Sequence, residues 1–450
     1  MRWRLHGSHL GAAPRAATAE SAGAWSRVGI AAMGALLGGL VGGLFVVGVT
    51  LVLKAGMDFV SAQRLLVVIA LPLVGLCVAV LLLHGLGRDA TPPLAGPQAK
   101  SWRTFHPEAI RADISAEVVN SAGEEERFSW RLAPIRALAI IATVGSGGAM
   151  GTEAPAAYLG VAAGACLGDR GRWWRRLLRP AALAGGAAGV AALMAIPLVG
   201  TAFMLELGRR QRAPLSAERM TAALIGGLVG WAINVTFHLN LIRLVVPKEP
   251  PTSFVQAVLT ALFIGAASGA ISSGAGMAVY GAKSWKASPL TRLALGGAAL
   301  ALTALALATI AGPSVAAGPG GGAILWAESV NALPLTLLLV CLLRAAATIA
   351  AVAAGGCGGV FVPFLAVGDL AGRVFAPMLG VGNDLSGAAG AAGGISGGYR
   401  LPITAVAMVL GVGGPPHATL TCLAAVGVAF LAGLGVEVAI GKVRGLAQAR

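Results

Sequence analysis

The sequence predicts an all-α integral membrane protein made of two inverted-topology repeats with broken, tilted helices. Three observations carry that expectation. The 450-residue chain is 57% hydrophobic and only 11% charged, and its mean hydropathy of +0.81 lies far outside the range of soluble domains. Apolar runs of membrane-spanning length follow one another along most of it. Two Gly/Pro-interrupted segments recur at matching places in its two halves.

The apolar runs lie at about 28–53, 65–87, 132–168, 180–206, 220–246, 254–283, 290–316, 331–354, 358–380 and 386–442. Several are too long, or too often interrupted by glycine, for one simple span, so about ten or more helical segments are expected, some short or broken. The organisation that follows is a cytoplasmic N-terminal lead (1–27), a first membrane repeat (28–212), a linker (213–219), a second membrane repeat (220–442) and a short cytoplasmic tail (443–450). The lead does not read as a cleaved signal, because the run after it is too long for a signal core. The tail leaves no room for paired cytoplasmic regulatory domains.

A net charge of +15 could suggest nucleic acid. The basic residues instead cluster at the termini and loops, as in Arg170-Gly-Arg-Trp-Trp-Arg-Arg176. Positive-inside topology accounts for them and places the N-terminus, the loop at 169–180 and the C-terminal end in the cytoplasm, with Trp173 and Trp174 as interfacial anchors. A nucleic-acid partner is not expected. The five cysteines stand singly in apolar segments and the six histidines are dispersed, so neither a disulfide framework nor a metal or cofactor site is indicated. With no catalytic dyad or soluble catalytic domain, the chain does not read as an enzyme.

Aligning the chain on its prolines reveals the repeat. Gly185 to Glu206 matches Gly390 to Gly411, with Pro197 on Pro402, and upstream of each a Gly-rich mouth precedes a proline: Gly151-Thr-Glu-Ala-Pro155 and Gly359-Val-Phe-Val-Pro363. The proline pairs are 42 and 39 residues apart, 197 − 155 and 402 − 363. Close helix packing alone would not require the proline phase to repeat; paired half-helices at a transport site would. Converging helix N-termini offer partial positive charge and unpaired N–H groups, which favours an anion path over a cation path. Glu153 stands at the first mouth. An ionisable group at bilayer depth costs about 2.5–3.5 kcal/mol and normally faces a cavity, a partner or an ion path.

At these residues the chain resembles the CLC family of chloride channels and chloride/proton antiporters. Gly151-Thr-Glu-Ala-Pro155 is similar to the family's G-R/K-E-G-P, with Glu153 in the place of the gating glutamate. Gly359-Val-Phe-Val-Pro363 is similar to its G-x-F-x-P, whose main-chain amides bind the anion, and Arg400-Leu-Pro-Ile-Thr404 to its R-A-P-L-T. Gly318-Pro-Gly-Gly-Gly322 suits the glycine-rich loop ahead of the second motif. The resemblance covers about 100–440 and implies a CLC-type fold, small inorganic anions as cargo, a homodimer with a pore in each subunit, and a multi-pass location in the cell membrane. It implies anion contacts from the Gly151, Thr152, Ala154, Val360 and Phe361 amides, and gating by Glu153.

Departures from the family pattern limit what carries over. The family's first anion motif, G-S-G-I-P, has its best counterpart at Arg103-Thr-Phe-His-Pro-Glu108, where Thr104 would supply the hydroxyl; the alternative is a polar loop over 88–131. The family's inner tyrosine falls on Val438. Its antiporters carry two adjacent glutamates where this chain has Glu206-Leu207, and leucine relays no proton, although Glu206 could serve through a one-residue slip. A passive or weakly proton-coupled chloride pathway is therefore expected first, with a chloride/proton antiporter or a fluoride-selective exporter as alternatives. Asp369 and Arg373, with Arg344, are expected to form an intramembrane pair or to face a vestibule.

Overall fold

The computed structural model describes residues 13–86, 130–168, 177–210, 215–237, 253–399, 403–404 and 420–448, with side chains from 28 to 443 except at 131, 178, 197, 210 and 420. The first group of helices comprises α1 (Ala13–Ser61), α2 (Leu65–Leu81), α3 (Ala133–Ile140), α4 (Glu153–Gly168), α5 (Leu178–Met194), α6 (Pro197–Arg210) and α7 (Ala217–Phe237). The second comprises α8 (Phe254–Ser284), α9 (Pro289–Ala311), α10 (Pro313–Ala316), α11 (Gly321–Ser329), α12 (Pro334–Ala353), α13 (Phe361–Leu379), α14 (Asn383–Tyr399) and α15 (Leu420–Gln448). Eight of the described helices are long and apolar enough to cross a membrane.

Local chemistry sets the breaks. Pro289 and Pro334 sit in the first turn of α9 and α12, where a missing N–H costs nothing. Ser253 and Ser288 accept hydrogen bonds from the N–H groups of Gln256 (3.4 Å) and Thr291 (3.1 Å) at the starts of α8 and α9. The runs expected at 132–168 and 180–206 each hold two helices. The first is interrupted after a π-helical turn at Ile141–Gly145, where Gly147 takes φ +92°. The second is interrupted at Ala195, which takes the left-handed conformation just before Pro197 starts α6.

The repeat read from the sequence is visible in the packing. In the first group α5 is the hub, against α1, α4, α6 and α7; in the second α14 is the hub, against α8, α13 and α15. Small residues let the backbones touch at equivalent places. Gly160 of α4 lies against Gly185 of α5 as Gly368 of α13 lies against Gly390 of α14, and Gly269 of α8 meets Gly433 of α15. In a lipid-facing fold such contacts, not hydrophobic transfer, hold helices together. Helix α7 packs on α1, α5 and α6, and Asn234 donates to the Ala192 carbonyl at 2.5 Å. It therefore belongs by packing with the first group, although the second repeat was expected to open at 220.

Two glycines separate packing from propensity. A Cβ at Gly185 would strike the Gly160 carbonyl oxygen, whereas one at Gly274 in α8 meets nothing within 4 Å. Gly185→Ala is expected to destabilise the protein by about 1–3 kcal/mol through overpacking, and Gly274→Ala to stabilise it by about 0.5–1 kcal/mol through helix propensity. Apparent melting temperatures in detergent should move in opposite directions.

Candidate anion site

Both mouths of the repeat meet at one point. Gly151 and Gly359 form an isolated antiparallel bridge, each N–H donating to the other's carbonyl at 2.6 and 2.7 Å. Helix α4 begins two residues beyond Gly151, at Glu153, and α13 begins two residues beyond Gly359, at Phe361. Pro155 and Pro363 then occupy the third position of their helices. Neither carries an N–H, so each helix start keeps its donors in the residues just ahead of the proline.

Two further ties fix the loops. The Thr143 hydroxyl accepts from the Cys357 N–H at 3.1 Å, while the Thr143 carbonyl accepts from Gly148 at 2.9 Å. Gly318, φ +70°, donates its N–H to the Gly147 carbonyl at 2.8 Å. Three glycine-rich segments, 145–151, 317–322 and 355–359, are thereby held together in the interior.

Glu153 is 0% exposed, and its carboxylate reaches across the bridge. One oxygen accepts from the Val362 N–H at the start of α13, at 3.4 Å; the other lies 3.4 Å from the Thr152 hydroxyl, which donates to it. A Cβ at 151 would lie 2.6 Å from the Glu153 oxygen and 3.1 Å from Pro363 Cδ, so a side chain there would push the carboxylate out of its place. The acid of the first repeat thus sits on the helix N-terminus of the second, where partial positive charge favours an anion. A charge-assisted bond of 3.4 Å is long, as suits a group that must also leave.

The sequence-derived donors are redistributed in part. Gly151 is spent structurally: its N–H goes to Gly359, which removes it from the amides expected to face an anion. Val360 is the N-cap of α13 and its carbonyl accepts the first helical bond, from Phe364 at 3.1 Å. The amide that meets the carboxylate belongs to Val362, which was not singled out; its place as the last N–H before Pro363 was the available signal. Phe361 is fully buried and stacks edge-on against Tyr399, with centroids 5.2 Å apart and planes at 84°. Tyr399, the last residue of α14, was also missed. Val438, on which the inner tyrosine was expected to fall, lies on α15 and is 46% exposed. Thr104 lies outside the described residues.

Glu206, 6% exposed in α6, repeats the relation. Its carboxylate accepts from the N–H groups of Ile403 and Thr404, at 3.1 and 3.0 Å, and from the Thr404 hydroxyl at 2.8 Å. Leu207 beside it is buried. Asp369 and Arg373 do pair, Nε to Oδ1 at 2.8 Å, and Arg373 also meets Asp384 at 3.3 Å and Glu328 at 3.5 Å. This joins α11, α13 and α14. Arg344 is not part of that cluster; it turns to the carbonyls of Val315, Ala316 and Gly318.

Comparison with known proteins agrees with this architecture. The family model described as "Voltage gated chloride channel" matches residues 94–433. The voltage-gated ClC-type chloride channel ClcB of Escherichia coli (strain K12 / DH10B) is 25% identical over 308 residues, 65% of this chain and 69% of that protein. The protein of the same description from Shigella boydii serotype 18 matches to the same extent. Among solved structures, a CLC-type fluoride/proton antiporter superposes with a TM-score of 0.67 at 20% identity, covering 90% of this chain and 96% of that one. A slow cyanobacterial Cl⁻/H⁺ antiporter gives 0.65 at 19% identity, covering 92% and 95%. At these identities the structures speak for the fold.

The Glu206 cap yields a stability prediction. Thr404→Val removes one donor to a buried carboxylate and should cost about 1.5–3 kcal/mol, the range for hydrogen bonds to charged groups. Thr404→Ser, which keeps the hydroxyl, should recover most of it in thermal melts.

Proposed function

The chain belongs to the voltage-gated chloride channel family, a family of anion transport across membranes, and we propose that it passes chloride through a pathway gated by Glu153, passively or with weak proton coupling. The observation that carries this reading is the Glu153 carboxylate resting on the Val362 N–H. An anion shedding water there needs fixed dipoles, not a full cation, so that it can also leave. Ionised Glu153 supplies its own negative charge to those dipoles and competes with chloride. Protonation removes the charge, weakens the bond to Val362 and frees the α13 amides; a high chloride concentration displaces the carboxylate by mass action. Thr152, Ala154, Val360 and Phe361 complete the proposed contacts, with Thr104 as the hydroxyl donor.

The proton route behind the gate is the weaker part of the site. Leu207 has no titratable group, and three hydrogen bonds commit the Glu206 carboxylate to holding residues 403–404. Proton-coupled exchange is the second reading, favoured by the burial of Glu206 within the same half as Glu153. Fluoride as cargo is tested by the same assay. The resemblance further supports a homodimer with one pathway per subunit, in the cell membrane.

In liposomes under a chloride or fluoride gradient, anion efflux is expected to rise as pH falls. Glu153→Gln should carry flux about tenfold or more above wild type at neutral pH, the occupancy change that a charge-assisted bond of about 1.5–3 kcal/mol sets, and should lose the pH dependence. A pH response unchanged in that variant would refute the gate. Recording internal pH alongside efflux separates the readings: stoichiometric proton movement against a gradient would exclude the passive one.

A further inference from the structure

The direction of the Val362 N–H is set one residue earlier. That N–H belongs to the planar peptide unit whose other end is the Cα of Phe361, so whatever holds the Phe361 side chain also holds the amide on its line. Phe361 is the first residue of α13 and is fully buried. Its ring and the half-buried ring of Tyr399 meet edge to face, with centroids 5.2 Å apart and planes at 84°. This arrangement is favoured between aromatic rings and fixes their angle as well as their separation.

Tyr399 ends a segment that is itself tied down. The Ser273 hydroxyl of α8 donates to the Gly397 carbonyl at 2.9 Å. A Cβ at Gly398 would lie 3.1 Å from both Cγ and Cδ2 of Phe364, so the end of α14 rests directly on the next aromatic residue of α13. Four residues beyond Tyr399, the Glu206 carboxylate of α6 accepts from the Ile403 and Thr404 N–H groups at 3.1 and 3.0 Å and from the Thr404 hydroxyl at 2.8 Å. Four residues of chain span at most about 14 Å, so a displacement of 403–404 from Glu206 is felt at Tyr399. The ties close a circuit. It runs from Glu206 in the first group of helices to the end of α14 in the second, across the ring pair to Phe361, through one peptide plane to the Val362 N–H, and back to Glu153 in the first group.

We propose that Tyr399 is a positioning residue for the anion: it locks the Phe361 ring, and through it the Val362 N–H, and it passes on to that amide the hold that Glu206 has on residues 403–404. The proposal rests on the α13 amides being the anion's place, as in the proposed function, and does not require Glu153 to be the gate. Without the Tyr399 ring the Phe361 side chain gains freedom and the amide direction spreads. An anion then meets a less preorganised donor and binds more weakly. Coupling between Glu206 and the anion is carried by packed side chains and hydrogen bonds that are in contact along the circuit.

The test is isothermal titration of chloride into full-length Glu153→Gln, in which the carboxylate no longer competes. In that background Tyr399→Leu should raise the chloride Kd about two- to tenfold, the factor that an aromatic edge contact sets. Tyr399→Phe, which keeps the ring, should recover most of the loss. Thr404→Val, which alters the Glu206 contact, should raise Kd in the same direction, and its effect should vanish when combined with Tyr399→Leu because the path is already cut. A Kd unchanged by Tyr399→Leu, with only the melting temperature lowered, makes Tyr399 a packing residue and overturns the proposal while the gate stands. Additive effects of the two substitutions overturn the path from Glu206. Should Tyr399→Leu fail to fold, an unchanged Kd in Thr404→Val overturns the proposal by itself. If Glu153→Gln binds no chloride, the proposal falls together with the anion site on α13, whereas a pH response of efflux that persists in Glu153→Gln counts against the gate alone.

Discussion

The reciprocal hydrogen bonds between Gly151 and Gly359 are the constraint on which the rest of the site depends. They join two chain segments more than two hundred residues apart and fix where two helices begin inside the protein. Helix α4 presents an acid at its first residue and α13 presents amides at its own, so the bridge turns two separate helix starts into one acid-on-amide contact. Gly151 leaves room at the junction, since a side chain there would occupy the space of the Glu153 carboxylate. Without the bridge, Glu153 would be an unsupported charge at bilayer depth.

The buried charges of this protein are each compensated by different chemistry, and the differences bear on function. Asp369 and Arg373 neutralise each other at short range and hold α11, α13 and α14 together, a structural solution. Glu206 is satisfied by three donors at 2.8–3.1 Å, which fixes both it and the chain at 403–404. The Val362 amide and the Thr152 hydroxyl reach Glu153 only at 3.4 Å. Loosely held and opposite an anion-attracting helix start, it is the acid whose release costs least. Arg344 is held by the carbonyls of Val315, Ala316 and Gly318, which tie α12 to the chain at 315–318.

Much of this was legible in the sequence because glycine and proline punctuate it. The matched Gly-x-x-x-Pro mouths marked the regions where both helices start, and an acid inside an apolar run marked Glu153. The repeat phase paired α4 with α13 and α5 with α14 before any packing was known. What stayed hidden depends on contacts between distant segments. No local signal says that Gly151 spends its N–H on Gly359, that Val362 is the amide in reach, or that Tyr399 packs on Phe361. Hydropathy likewise cannot tell that α7 docks onto α1 and α5 and so belongs with the first group.

The contact between Glu153 and the α13 amides can be observed directly by infrared difference spectroscopy of the reconstituted protein, exchanging chloride for a large impermeant anion at constant pH. If chloride and the carboxylate compete for the same N–H groups, the exchange shifts a carboxylate stretching band in the wild type, and that shift is missing in Glu153→Gln. A wild-type spectrum without a carboxylate change, or the same change in the variant, would contradict the claim that Glu153 holds the anion's place.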